Sequence, residues 1–350
     1  MRRILVFALA LAAIWGGYWW VGAGAMERGF RGWLDARAAE GWVAEYDSVE
    51  TQGFPSRFDT SFRGLALQPP GAPWAWRAPL FQTLMLSYAP NRAVAAWPGP
   101  QTLLTPAGRV DLEGEQLRAS VRLGLAPSLP LEEARAVAEG LRVEAEAGWR
   151  LGAEEASVAT VATPTLPNGQ RLGVRLRELA PPAALRALVD PLGAMPEAVE
   201  RVHLDVDLGF DAPWDRFALE ARAPRLAALS LREASFAWGD LALSAEGSVR
   251  IDAEGVPEGR VAIRVANWRR LLELLRATGV VGEDAALLTE RALEVLAGLS
   301  PDDDVLDVPL SFQRGFVSLG PIPLGPAPRL PPPGALPAAA AGTRPGAPPA

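Results

Sequence analysis

The hydrophobic positions of this chain fall into three rhythms. The first is continuous. Ile4 to Met26 reads ILVFALALAAIWGGYWWVGAGAM, 23 residues without a formal charge, directly after Met1-Arg2-Arg3. A helix of that length rises about 34 Å, enough to cross a hydrocarbon core of about 30 Å. The leading arginines favour a cytoplasmic N-terminus, and Trp15, Tyr18, Trp19 and Trp20 gather toward the distal end as an interfacial belt does. Ala23-Gly24-Ala25 also has the small-residue character of a signal cleavage site, although the apolar run exceeds the usual signal core. An uncleaved anchor is the favoured reading and cleavage the competing one. Both place residues 27–350 outside the cytoplasm, and the favoured one makes a single-pass inner-membrane protein with its bulk in the periplasm.

The second rhythm is helical. Phe30, Trp33, Leu34 and Ala38 recur at helical spacing within 27–44, and Gly29, Gly32 and Gly41 weaken the segment. The third rhythm has period two and fills most of the remainder. Phe58, Thr60 and Phe62 alternate with Arg57, Asp59, Ser61 and Arg63 after the punctuation Gly53-Phe54-Pro55. Leu80 to Tyr88 and Arg92 to Trp97 read as strands around a turn at Pro90-Asn91. Gly108 to Gly114 and Leu117 to Leu123 read as two strands joined by a short turn. Residues 131–147 mix helical composition with strict alternation, and strands are favoured. Pro181 to Leu192 reads as a short helix with proline at its start. Val202, Leu204, Val206 and Leu208 then alternate with Arg201, His203, Asp205 and Asp207. Phe217 to Ala221, Leu229 to Trp238, Leu241 to Leu243, Val249 to Ile251 and Val261 to Val265 continue as strands. Two helices follow, Trp268 to Ala277 and Asp284 to Leu299, then an alternating segment from Leu306 to Leu319.

These elements predict an α+β fold, predominantly antiparallel β, with few helices behind an N-terminal transmembrane helix. Either one large curved sheet or two related β-lobes dividing near residues 180–200 fits the pattern. The expected organisation is an anchor at 1–26, a β-rich domain at 27–325, and a Pro/Ala-rich disordered tail at 326–350.

Composition narrows the chemistry. All 34 basic residues are arginine, the net charge is −7, and charges of both signs are interspersed. No electrostatic footprint for nucleic acid is present. The chain has no cysteine and one histidine. That excludes disulfides, thiol catalysis, iron–sulfur clusters and zinc sites built on several histidines. A catalytic histidine can only be His203, with Asp205 on the same strand face; a solvent-facing strand residue is the simpler reading. Asp302-Asp303-Asp304 lacks the spacing of a calcium loop and reads as a solvated turn. Glu132-Glu133 and Glu154-Glu155 are adjacent acidic pairs with no partner pattern. No nucleophile elbow, phosphate loop or dinucleotide fingerprint occurs. No catalytic, cofactor-binding or metal residues are assigned, no cofactor is expected, and a non-enzymatic role follows. The 12 tryptophans, among them Trp74, Trp76, Trp97, Trp149, Trp214, Trp238 and Trp268, pack a core or line an apolar groove for an acyl chain.

Gly53-Phe54-Pro55-Ser56-Arg57-Phe58-Asp59, Trp76-Arg77-Ala78-Pro79, Tyr88-Ala89-Pro90-Asn91, Trp97-Pro98-Gly99-Pro100 and the run Asp307 to Gly325 together resemble a bacterial envelope family, domain of unknown function 2125. The resemblance covers roughly residues 1–330 and implies no catalytic residue. The segment Gly247 to Val261 is similar to the strand–turn–strand pattern of AsmA-like envelope proteins, which implies a β-sheet groove for lipid. The expected function is lipid or hydrophobic-ligand binding or envelope maintenance by a membrane-anchored periplasmic protein. The alternative is a scaffold that binds an envelope protein partner.

Overall fold

The computed structural model describes residues 1–191, 193–220, 223–277, 293–294, 297–298 and 302–330. Helix α1 (Arg2–Ala39) runs unbroken for 38 residues, so the apolar span and the segment after it are one rod about 57 Å long. It is the one described helix long and apolar enough to cross a membrane. It stops at Glu40 and Gly41, where the chain turns through a φ of 86° at Gly41 that favours glycine.

Eighteen strands form one sheet. They are β1 (Val43–Glu45), β2 (Ser48–Gln52), β3 (Arg57–Gln68), β4 (Ala75–Leu86), β5 (Ala89–Ala96) and β6 (Gln101–Thr105). Next come β7 (Gly108–Glu113), β8 (Gln116–Leu123), β9 (Leu131–Ala145), β10 (Arg150–Thr163) and β11 (Gly169–Leu179). Helix α2 (Ala183–Val189), β12 (Val199–Phe210), α3 (Arg216–Glu220), β13 (Leu226–Trp238), β14 (Leu241–Ile251) and β15 (Pro257–Ala266) follow. Helix α4 (Trp268–Ala277), β16 (Val305–Gln313), β17 (Phe316–Leu319) and β18 (Ile322–Pro326) complete the described chain.

Every pairing is antiparallel, and the sheet is a meander. Three of its rows are broken strands. β1 and β2 both pair with β3, β5 and β6 both pair with β4, and β7 and β8 both pair with β9. The expected hairpin between Gly108–Gly114 and Leu117–Leu123 is therefore one interrupted row. Its break falls at Gly114, where a Cβ would lie 3.0 Å from the Glu139 carbonyl oxygen. β11 and β12 pair from Gln170↔Leu208 to Leu179↔Val199. Of the two architectures the pattern allowed, one continuous sheet forms, and the 180–198 connection is an excursion carrying α2.

Other expectations shift locally. The turn placed at Pro90-Asn91 lies at Ser87-Tyr88, because β4 and β5 pair through Leu86↔Ala89. Phe217 to Ala221 was expected as strand. Residues 216–220 form the helix α3 instead, because Asp215 Oδ1 accepts hydrogen bonds from the Phe217 and Ala218 amides, as an N-cap does. Leu241 to Leu243 and Val249 to Ile251 are the ends of one strand, β14. The alternating segment from Leu306 holds two strands with a turn at Arg314-Gly315. Ordered pairing passes the expected boundary at Gly325: Ala327 N donates to Gly315 O, and Leu330 N to Gly255 O. Most of the helix expected over Asp284 to Leu299, and the tail from residue 331, lie outside the described residues.

Two separate cores lie at the two ends of the sheet. One joins Leu34 of α1 to Val49, Phe62 and Leu65. The other packs Trp268 and Leu272 of α4 against Trp238, Leu241, Val265, Leu306 and Val308, together with Met195, Leu293 and Ala297. Trp268 is 1% exposed, and its indole N–H donates to Asp303 O at 3.0 Å. The Trp238 indole donates to Pro196 O at 3.0 Å. Both large rings are thus buried with their one polar atom satisfied.

Candidate apolar ligand site

The distal half of α1 lies across β1, β2 and β3 and leaves a cleft between helix and sheet that β4 helps to line. Gly22 permits the approach: a Cβ there would sit 2.6 Å from the Phe58 ring. Beyond this contact the space opens to about 750 Å³, lined by Ala25, Met26, Gly29, Phe30, Trp33 and Leu34 from α1 and by Phe62, Leu65, Leu67, Trp76, Phe81 and Trp97 from the sheet. The strands present these residues by simple alternation. In β3, Phe58, Thr60 and Phe62 are buried and Arg57 and Arg63 exposed, as the period of two requires. Gly64, with φ 61°, then shifts the phase of the alternation, so Leu65 and Leu67 line the cleft with Phe62, while the register with β4 runs on unchanged from Arg63↔Leu80 to Leu65↔Ala78.

The rings form a connected wall. Phe30 meets Phe62 edge-on at 5.0 Å between centroids, Phe62 meets Phe81 at 5.4 Å, and Phe81 meets both Trp76 at 6.1 Å and Trp97 at 5.4 Å. No charged side chain is among the lining residues. The Trp76 indole donates to Gln101 Oε1 at 3.0 Å. The Trp97 Nε1 is buried with no hydrogen-bond partner among the described residues. Trp97 also borders a second apolar depression of about 330 Å³ that reaches Leu112, Leu117, Val137, Leu141 and Val158 on the middle strands. A further cleft of about 630 Å³ near β14, β15 and β16 is lined by Arg250, Arg260, Arg314 and Glu258 among others, a surface of opposite character.

The polar candidates go elsewhere. His203 stands opposite Arg175 on β11 and Ser235 on β13, and its Nε2 lies 3.9 Å from Glu233 Oε2. Asp205 is gripped by Arg171, whose Nε donates to Oδ1 at 2.7 Å and whose second nitrogen donates to Oδ2. These hydrogen bonds hold the Asp205 carboxyl below the usual carboxylate range, against the opposing pull of desolvation. The structure thus engages Asp205 with Arg171. Glu132 and Glu133 both pair with Arg122, and Glu154 and Glu155 both with Arg177. Asp302 Oδ1 accepts from the Asp304 amide, and Asp304 pairs with Arg269 at 3.0 Å, so this turn shapes the support of Trp268. Among the described residues no group of three or more histidine, cysteine or acidic side chains gathers to hold a metal.

Sequence reasoning singled out Phe30, Trp33 and Leu34 as one helix face and the tryptophans as groove candidates. It did not bring Phe62, Phe81 and Trp97 together, because that meeting depends on the pairing of β3 with β4 and of β4 with β5.

The family model described as "Uncharacterized protein conserved in bacteria (DUF2125)" matches residues 19–328. No curated protein and no solved structure matches. The matched region begins inside α1 and takes in the cleft, the whole meander and β18; the chain belongs to the DUF2125 family of uncharacterised bacterial proteins.

Proposed function

We propose that this protein is a membrane-anchored, non-enzymatic binder of a hydrophobic ligand, a lipid acyl chain or its equivalent, acting on the outer side of the bacterial inner membrane. The observation that carries the reading is the cleft of about 750 Å³ with an apolar, largely aromatic lining, placed where α1 emerges from its apolar span. Pockets of this size and lining suit small apolar ligands, with a few polar groups fixing orientation. The unpartnered Trp97 N–H is one such group, a donor for an ester or carboxylate oxygen. The Gly247–Val261 hairpin supports the AsmA-like pattern only as strand geometry: β14 and β15 pair through Gly247↔Val261.

The test uses the full chain in detergent micelles with a diazirine-bearing palmitate. Labelling is expected to map by mass spectrometry to Met26–Leu34 and to the strands around Phe81 and Trp97. Gly29→Leu, which places a side chain where a Cβ meets nothing within 4 Å, is expected to abolish it. Equal labelling of parent and variant would sink the reading.

A second reading is favoured by the middle strands, where Trp149, Val158 and Val161 are exposed. That face suits an envelope protein partner, which in-cell crosslinking from position 158 would capture.

A further inference from the structure

We infer that two β-turn tips, Gly53–Ser56 and Ser87–Tyr88, are immersed in the lipid leaflet on the domain's side of the membrane, packed against the anchor. This rests on α1 being the membrane span, which the proposed function shares, but not on the cleft holding a ligand.

The depth of contact along α1 carries the inference. Arg2 and Arg3 fix one boundary of the apolar run, which starts at Ile4. Trp15 lies about 16 Å along the axis from Ile4, and Trp19 about 22 Å. The hydrocarbon core is about 30 Å thick. Yet the domain already touches the helix at these residues. The Trp15 indole donates to Pro55 O at 2.8 Å, the Tyr18 hydroxyl to Ser87 O at 2.7 Å, and the Trp19 indole to Arg57 O at 2.7 Å. Were these aromatics to mark the edge of the bilayer, only Ile4 to Ile14 would remain to cross it, about 16 Å. That is too short for a span, so the tips reach into the leaflet beside the helix.

The chemistry of the tips agrees. Phe54 is 62% exposed and Tyr88 66% exposed; the first is a hydrocarbon ring suited to lipid, the second an amphipathic ring of the kind enriched at membrane interfaces. Phe54 stacks edge-on against Trp19 at 5.4 Å, continuing the helix aromatics into the turn. Irregular backbone survives at membrane depth only where its polar groups are satisfied by protein. Here three carbonyls at or beside the two turns are satisfied by side-chain donors from the anchor itself. Arg57 N donates to Gly53 O and closes the first turn, and Ser87 N donates to Ser56 O and ties the second turn to it. The nearest charge, Arg57, pairs with Asp59 at 3.0 Å, and its long half-exposed side chain has the reach to place its head at lipid phosphates.

The chain has no cysteine, so the test needs no background removed. Leu9→Cys, Phe54→Cys, Tyr88→Cys and Phe316→Cys each receive one NBD fluorophore. The full chain is reconstituted in phosphatidylethanolamine/phosphatidylglycerol vesicles without other protein. Phe316, exposed on β17 near the opposite edge of the sheet, is the aqueous reference. The labels at 54 and 88 are expected to be quenched by spin-labelled lipid and shielded severalfold from iodide relative to 316. Two positions on separate turns keep the test decisive where one substitution disturbs packing. Lipid quenching at Leu9 with iodide access at 54 and 88 equal to that at 316 would overturn immersion while leaving the anchor standing. That result would also be obtained if the tips serve a protein partner. No lipid quenching at Leu9 would remove the anchor, and this inference with it.

Discussion

Helix α4 and the distal half of α1 both lie across the sheet, one near each end of the meander, but the space beneath them differs. Under α4, Trp268 is 1% exposed and Leu272 4% exposed, and the side chains of four strands close against them. Under α1, only the small Ala23 and Leu34 are buried, while Trp33 remains 49% exposed and a cleft of about 750 Å³ persists. Dense packing is the rule for protein interiors, and unfilled apolar space forfeits contacts. A helix that seals its core contributes stability. A helix that leaves an apolar gap gives up part of that gain, which is the signature expected of a site.

The contrast is open to attack at several points. Trp268→Ala should be the most damaging substitution, costing about 3–5 kcal/mol in chemical unfolding of the full chain in detergent. It should leave acyl labelling of the folded fraction unchanged. A loss under 1 kcal/mol would mean that the α4 layer is as loosely filled as the α1 layer. Phe81→Ala removes a ring that already borders empty space, so about 1 kcal/mol is expected, with a marked fall in palmitate labelling. Gly29→Leu should run the other way. It replaces a poor helix former at a roomy position and should stabilise by about 0.5–1 kcal/mol while blocking uptake. Destabilisation by that variant would show that the cleft closes in solution.

The smallest effect concerns the strands between the two layers. Asp205 has a depressed carboxyl in the folded chain because of Arg171. Its contribution is present above the unfolded-state value near pH 4 and is lost as pH falls through the lower folded value. Asp205→Asn should therefore lower stability slightly at neutral pH and converge with the parent in acid. A constant offset across that range would assign the effect to packing rather than to charge.

Much of this was legible in the sequence, for physical reasons that can be located. The alternation of Phe58, Thr60 and Phe62 against charged neighbours fixes both the strand and its buried face. The apolar run from Ile4 fixes helix α1, and the proline at the start of 181–192 fixes α2. β10 was not singled out, because Ala153 to Thr163 is rich in alanine and opens on Glu154-Glu155, residues with weak strand preference, and sheet context decides such segments. The α3 segment misleads because Phe217-Ala218-Leu219 alternates by chance, while the decisive signal was the capping Asp215 just ahead. The cleft was legible only in part. Phe30 and Trp33 share a helix face by spacing, but Trp97 joins them through two successive strand pairings, β3 with β4 and β4 with β5, whose registers the alternation alone does not give.

The meander has a consequence for how the molecule is made. Almost every row pairs with the row that precedes it in the chain, so contacts close over short loops. Loops of that kind cost little entropy to close, and folds rich in local contacts form quickly. A chain emerging N-terminus first, from a ribosome or a translocation channel, would find a partner edge for each new strand already in place. The helix arrives before all of them. Its aromatic collar, through Trp15, Tyr18 and Trp19, is positioned to receive the first two turns as they appear. Growth would then proceed away from the bilayer, with the α4 layer closing last.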